Sequence, residues 1–207
     1  MIDLHTVPTA NGQRASIMLE EVGLPYTVHL IDFKKQQHLS KEFLAINPCG
    51  MAPAIVDRDG PGGRPYAVFE TMAIAYYLAE KTGKLMPKDL RARSEVYKWS
   101  AVVIADIAAA FSGQFFFKIA APEKNPYAIN LWEGRAKRFL GVLDRQLKDQ
   151  PFIAGSDYTV ADVLAYPTAT SSASRLDDGI KEFSNLQRWV EKVGARPAIQ
   201  RGMKVPA

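Results

Sequence analysis

The sequence predicts an α/β unit followed by an all-α unit, and three observations carry that reading. Short strand-like and helix-like segments alternate over residues 1 to about 80, as they do in a sheet layered with helices. Strand signals stop after "KTGKLMPKD", and four or five helical segments run from there to the end. The 207 residues are 47% hydrophobic and 23% charged, which supplies enough apolar material for a buried core. The expected division is an α/β domain over 1–81 and a helical domain over 88–207.

Taken in order, Ile2 and Leu4 alternate with polar neighbours as a first strand. Ala15, Met18, Leu19 and Val22 then occupy the i, i+3, i+4, i+7 positions of a helix that Gly23 closes. Tyr26, Val28 and Leu30 alternate as a second strand. A polar loop leads to a short helix over 42–46, and residues 54–57 and 66–69 read as two strands joined by the turn-forming "RDGPGGRP". A helix over 70–81 places Ile74, Tyr77 and Leu78 on one face and ends at Thr82-Gly83-Lys84. The order is β-α-β-α-β-β-α. In the helical part, Ser184 to Gln187 reads as a capping box, and Thr159 to Asp162 as a variant with Asp in the last place. The segment "FSGQFFFKIAAPEKNPY" reads as a helix end tucked under a loop, with a ligand-cleft lining as the alternative.

Composition narrows the chemistry. One cysteine, Cys49, can form neither an internal disulfide nor a Cys-x-x-Cys pair, and the histidines at 5, 29 and 38 lack zinc-ligand spacing, so no metal is expected. No run of about eighteen apolar residues and no signal pattern is read, so the expectation is a soluble, cytoplasmic protein without a membrane partner. The net charge of +4 is distributed, as in Arg91, Arg93, Glu95 and Lys98. It reads as a solvated surface with no nucleic-acid module.

Three weak features share the first unit. The turn Pro8-Thr9-Ala10-Asn11-Gly12 delivers a hydroxyl and a carboxamide, but no thiol, to a helix start. Pro53 directly precedes a strand and is a candidate for a cis bond after Ala52. Such a bond would turn the Ala52 peptide groups toward the backbone of a bound peptide. Glu70-Thr71 opens a helix, where free N–H groups and the Thr71 hydroxyl suit a carboxylate while Glu70 suits an ammonium group. Any one of these alone is more often an ordinary structural device.

Together with "NPCGMAPAIVD", "FETMAIAYYLAEKTG", "AAPEKNPYAI", "GSDYTVADVLAYP" and the late "ARPA", they give a chain that resembles the cytosolic glutathione transferases. The resemblance is closest to their bacterial nu class of disulfide-bond oxidoreductases and covers nearly the whole sequence. It implies a thioredoxin-like N-terminal domain, an all-helical C-terminal domain, and a homodimer. It also implies glutathione as cosubstrate, with Ala52 and cis-Pro53 on the cysteinyl backbone, Glu70 and Thr71 on the γ-glutamyl end, and Thr9 and Asn11 beside the sulfur. His38 and Met51 fall at the remaining contact positions. There the family has Gln near position 38 and commonly Lys at position 51, and Leu131 stands where relatives tend to carry Arg, with Arg135 one turn on.

A thiolate is the nucleophile of disulfide exchange, and hydrogen bonds to the charged form lower a thiol's pKa. The resemblance therefore implies a disulfide reductase whose redox sulfur arrives with glutathione. Two alternatives remain open. One is conjugation of glutathione to an electrophile held near Phe111, Phe115, Phe116 and Trp132, which could equally be core. The other is a non-catalytic binding protein on the same scaffold. Cys49 lies near the peptide-binding loop; a turn position facing solvent or packed locally is its expected place, with a mixed disulfide to glutathione as the alternative.

Overall fold

Residues 1–206 are described by a computed structural model. Four short strands build one mixed sheet: β1 (Ile2–Thr6), β2 (Tyr26–Leu30), β3 (Ala54–Asp57) and β4 (Tyr66–Phe69), in the order β2-β1-β3-β4. β1 runs parallel to β2 and antiparallel to β3, and β3 is antiparallel to β4. The parallel pair needs a crossover, and α1 (Ala10–Val22) provides it, ended by Gly23 in the left-handed region at φ 74° with its N–H on Leu19 O. The short α2 (Lys41–Ile46) follows, and α3 (Thr71–Thr82) follows β4. This is a thioredoxin-like layer, and its element order is the one the hydrophobic periodicities predict.

Ile2 and Leu4 of β1, Ile17, Met18 and Leu19 of α1, Ile55 of β3, and Ile74 and Leu78 of α3 are all but inaccessible and form the core of this unit. β2 behaves differently. Val28 and Leu30, read as one face of an alternating strand, are exposed, because β2 is the sheet edge.

The end of the chain packs back on the first unit. Residues 195–206 cluster with Met1–Met86, whereas Pro87–Gly194 forms the second unit. The cause lies in α9 (Pro197–Gly202), which packs on α1. Ser16 Oγ donates to Gly202 O at 2.7 Å, Arg196 pairs with Glu21 at 2.7 Å, and Arg201 with Glu20 at 2.6 Å. Gly202 lies so close to Ile17 that a Cβ there would meet its Cα at 2.5 Å.

The second unit is helical: α4 (Leu90–Ala101), α5 (Ala109–Phe115), α6 (Pro126–Gln146), α7 (Val160–Pro167) and α8 (Ser184–Gly194). π-helical turns at Val102–Ala108 and Phe116–Ala120 make 90–120 one helical stretch. By length and composition that stretch could cross a bilayer, with mean hydropathy 1.6 over its most apolar window, so the expectation of no such run is corrected. A single charge, Asp106, interrupts the run from Trp99 to Phe117. Val103, Ile107, Ala110 and Phe111 bury its inner face within the unit.

The two predicted caps fared differently. At α7 the reciprocal box forms, with Thr159 N donating to Asp162 Oδ2 at 2.9 Å. At α8 it does not. Gln187 turns away to the carbonyls of Ile180 and Lys181, and the helix start is capped from another helix, where Asp144 accepts from Asn185 N at 2.8 Å and Leu186 N at 3.0 Å. A carboxylate at a helix N-terminus meets both free amides and the helix dipole, which a glutamine amide does only weakly.

Candidate functional site

The sheet register brings three of the predicted features to one place. His5 of β1 and Phe69 of β4 both stand opposite Ala54, the first residue of β3. The turn after β1, the residues entering β3 and the start of α3 therefore all emerge at the same end of the sheet. Val7, Ile31, Phe43, Ala52 and Ala54, with Ile46 and Phe69, form an apolar cluster beneath them.

Thr9 is the N-cap of α1, and its hydroxyl accepts from Gly12 N at 3.3 Å, a long bond that leaves the O–H free to donate elsewhere. Thr9 and Asn11 are exposed. Gly12 is buried there for a reason, because a side chain would overlap Val7 O and the Thr6 hydroxyl. One turn on, Arg14 is 2% exposed and donates from Nη1 to Asn11 Oδ1. Burial lowers the Arg14 guanidinium to about 10, which leaves it charged at neutral pH.

The Ala52-Pro53 bond is cis, as the sequence suggests. The strand ladder starts only at Ala54, so the Ala52 peptide groups lie outside it. The preceding loop is tied from within by Asn47. Its Oδ1 accepts from Cys49 N at 3.0 Å in an Asx turn, and its Nδ2 donates to Met51 O at 2.5 Å. Gly50 has φ 60° and sits 3.2 Å, measured from an added Cβ, from His38 O, which brings the His38 segment against this loop. Met51 and Cys49 are exposed, so Cys49 takes the solvent-facing turn position expected of it. The Phe33 ring lies 4.4 Å from the His38 ring, tilted by 46°, and the His38 Nδ1 is buried without a hydrogen-bond partner among the described residues.

Glu70 is the N-cap of α3 but does not cap it; its backbone has φ 69° and ψ 125°, a conformation a non-glycine residue rarely adopts. Holding it there costs about 1–3 kcal/mol, and residues so held cluster where a side chain must be aimed. Glu70 is exposed, while Thr71 is buried beside it at the first helical position.

In the helical unit, Phe111 is 1% exposed and belongs to the core, and the Trp132 ring fills the space over Gly113. Phe115 and Phe116 are exposed. Leu131 is also exposed, and Arg135 lies over the Trp132 ring at 5.3 Å. Arg14 and Asn47 are the two residues that reading the sequence misses. For Asn47 a signal exists in the Asn-Pro-x-Gly turn chemistry, whereas Arg14 looks like a polar-face residue.

A small helix-flanked mixed sheet with a cis-proline loop beside two helix starts is a peptide-binding frame of the thioredoxin type, here followed in sequence by a helical unit. Comparison with known proteins specifies it. The family model of the glutathione S-transferase N-terminal domain matches residues 10–81, and that of the C-terminal domain matches 105–202. The disulfide-bond oxidoreductase YfcG of Escherichia coli is 34% identical over 98% of this chain and 94% of its own. A Burkholderia graminis glutathione transferase structure with two glutathione molecules per subunit superimposes with a TM-score of 0.93, at 38% identity, over 99% of this chain and 88% of its own. One from Pseudomonas putida with one glutathione disulfide per subunit gives 0.93 at 35% identity, over 100% and 92%. The chain belongs to the glutathione S-transferase family.

Proposed function

We propose that this protein is a glutathione-dependent disulfide-bond oxidoreductase. The observation that carries the reading is the convergence of Thr9 and Asn11, Ala52-Pro53, and Glu70-Thr71 at one end of the sheet, with no Cys-x-x-Cys pair in the chain. The names of its relatives support the same activity, since YfcG is a disulfide-bond oxidoreductase and the P. putida protein holds glutathione disulfide.

In this reading glutathione lies as an extended peptide along the Ala52 backbone. Its γ-glutamyl carboxylate sits on the free amides of α3 and the Thr71 hydroxyl, and its amine pairs with Glu70. His38 completes the far end, its imidazole hydrogen bonding to the glycyl carboxylate. Met51 contributes packing there and no charge.

The Thr9 hydroxyl and Asn11 amide donate to the sulfur and so stabilise the thiolate. That thiolate attacks one sulfur of the substrate disulfide. The mixed disulfide of glutathione and substrate forms, and the other substrate sulfur leaves as a thiolate that takes a proton from water. A second glutathione thiolate attacks the mixed disulfide and releases glutathione disulfide and the second substrate thiol. Two thiols are oxidised for each disulfide reduced.

The assay is reduction of 2-hydroxyethyl disulfide by purified protein with glutathione, beside conjugation of an aryl halide. Disulfide reduction exceeding conjugation supports the reading; efficient conjugation without reduction overturns it in favour of a conjugating transferase. Failure to bind glutathione would leave a scaffold without chemistry. We further infer a homodimer, supported by the exposed Leu90 and Tyr97, seven residues apart on α4, and checked by light scattering. A cytoplasmic setting is the matching inference from the lone Cys49.

A further inference from the structure

The buried arginine one turn behind the turn residues has no role in the exchange chemistry as written. Arg14 is 2% exposed on a helix whose polar positions would ordinarily face water, and burying a guanidinium is costly unless it is well hydrogen-bonded. Its Nη1 donates to Oδ1 of Asn11, the exposed carboxamide at the proposed sulfur position. A carboxamide offers one accepting oxygen and one donating nitrogen, and its two orientations differ little in shape. A guanidinium has donors only. It therefore selects one orientation, in which the oxygen faces inward and the NH2 group faces outward. Without that bond the same side chain is free to flip and present its oxygen, which a thiolate repels.

We propose that Arg14 is a positioning residue, holding the Asn11 amide so that its NH2 group alone faces the sulfur of bound glutathione. The proposal rests on the reading of Asn11 as a donor to that sulfur. Arg14 acts through the amide and touches neither glutathione nor the disulfide. Its burial within α1 keeps the cation out of water, where the bond to the amide is stronger than an exposed one.

The test is an ultraviolet titration of the glutathione thiolate bound to wild type, Arg14→Met, Arg14→Lys, Asn11→Ala and the two double variants. It is read with glutathione affinity and with kcat/KM for 2-hydroxyethyl disulfide. The expected result is that Arg14→Met raises the bound thiol's pKa by about one and lowers kcat/KM about tenfold at neutral pH. Glutathione affinity should stay within about threefold, and the same substitution added to Asn11→Ala should move the pKa no further. Arg14→Lys keeps a cation but lacks the planar fork, so it should give a smaller shift that also vanishes on the Asn11→Ala background.

A purely structural role predicts lost stability and affinity with the thiol pKa unmoved, and that outcome overturns the proposal. So does full additivity with Asn11→Ala, which would mean that the cation acts on the sulfur directly. If Arg14→Met does not fold, Arg14→Lys decides alone, and no shift in that variant overturns the proposal. A wild-type protein whose bound thiol is no more acidic than free glutathione overturns the reading of the site itself. A normal wild-type shift that survives the Arg14 substitutions overturns only the role of Arg14.

Discussion

Two threonines open two helices in this molecule, and they are used in opposite ways. Thr159 at α7 is 5% exposed, and its partner Asp162 is fully buried. Asp162 Oδ2 accepts from Thr159 N and from the Thr159 hydroxyl, and Oδ1 accepts from Ile153 N at 3.0 Å and Trp189 Nε1 at 2.8 Å. Every lone-pair direction there is occupied. Thr9 at α1 is exposed, makes one long cap bond to Gly12, and has its neighbour Asn11 satisfied on the oxygen side by Arg14. The comparison teaches that a helix cap is structural when its partners saturate it. On the proposed reading it becomes a place for chemistry when its partners leave an exposed hydroxyl and amide unsaturated.

Four experiments sharpen or break that contrast. The largest effect should come from Asp162→Ala, which leaves the N–H groups of Ile153, Thr159 and Trp189 buried without partners. A loss of about 4 kcal/mol in urea unfolding is expected, since each unpaired buried donor costs ~1–3 kcal/mol. Thr9→Ala should behave inversely. It should cost about 1 kcal/mol or less of stability as an exposed cap, yet lower kcat/KM roughly a hundredfold, as loss of one preorganised donor to a developing anion does. Thr9→Ser should restore the rate. If Thr9→Ala instead unfolded the protein like Asp162→Ala and left the rate of the folded fraction intact, the contrast would fail.

Glu70→Gln comes next. Loss of one charge-assisted bond of about 2 kcal/mol should weaken glutathione about thirtyfold by calorimetry, with the unfolding midpoint nearly unchanged.

The smallest effect concerns acid. The bidentate Arg58 guanidinium, aided by His29, holds the Asp3 carboxyl down at about 2, against 3.8 for an ordinary aspartate. A carboxylate with a depressed folded pKa contributes stability above the unfolded value and loses it as pH falls. The Asp3 contribution is thus intact above pH about 4 and disappears toward pH 2. Asp3→Asn should flatten that limb of a stability-against-pH curve.

Much of this was legible in the sequence, for reasons the structure makes plain. The strands 54–57 and 66–69 could be bounded to the residue because a Gly- and Pro-rich turn separates two short apolar runs, and only a hairpin uses both signals. The Thr159 to Asp162 box was legible because both of its partners lie within one helical turn. The Ser184 box failed because its rival, Asp144, is remote in sequence, and local spacing carries no record of a carboxylate arriving from another helix. Arg14 was illegible for a related reason. Its periodic position is unremarkable, and only the close approach of the turn at Gly12 and the packing around α1 decide that a charged side chain goes inside. The convergence of the site residues was legible only through resemblance, since the register that unites Thr9, Ala52 and Glu70 depends on strand pairings that no single segment encodes.

The return of α9 to α1 has a consequence for synthesis. Ile17 and Ser16 belong to α1, but their partner Gly202 is made much later, 186 residues after Ser16. At bacterial or eukaryotic elongation rates the intervening chain takes on the order of 10 s to emerge. Through that interval the α9-facing side of α1 stays unsealed.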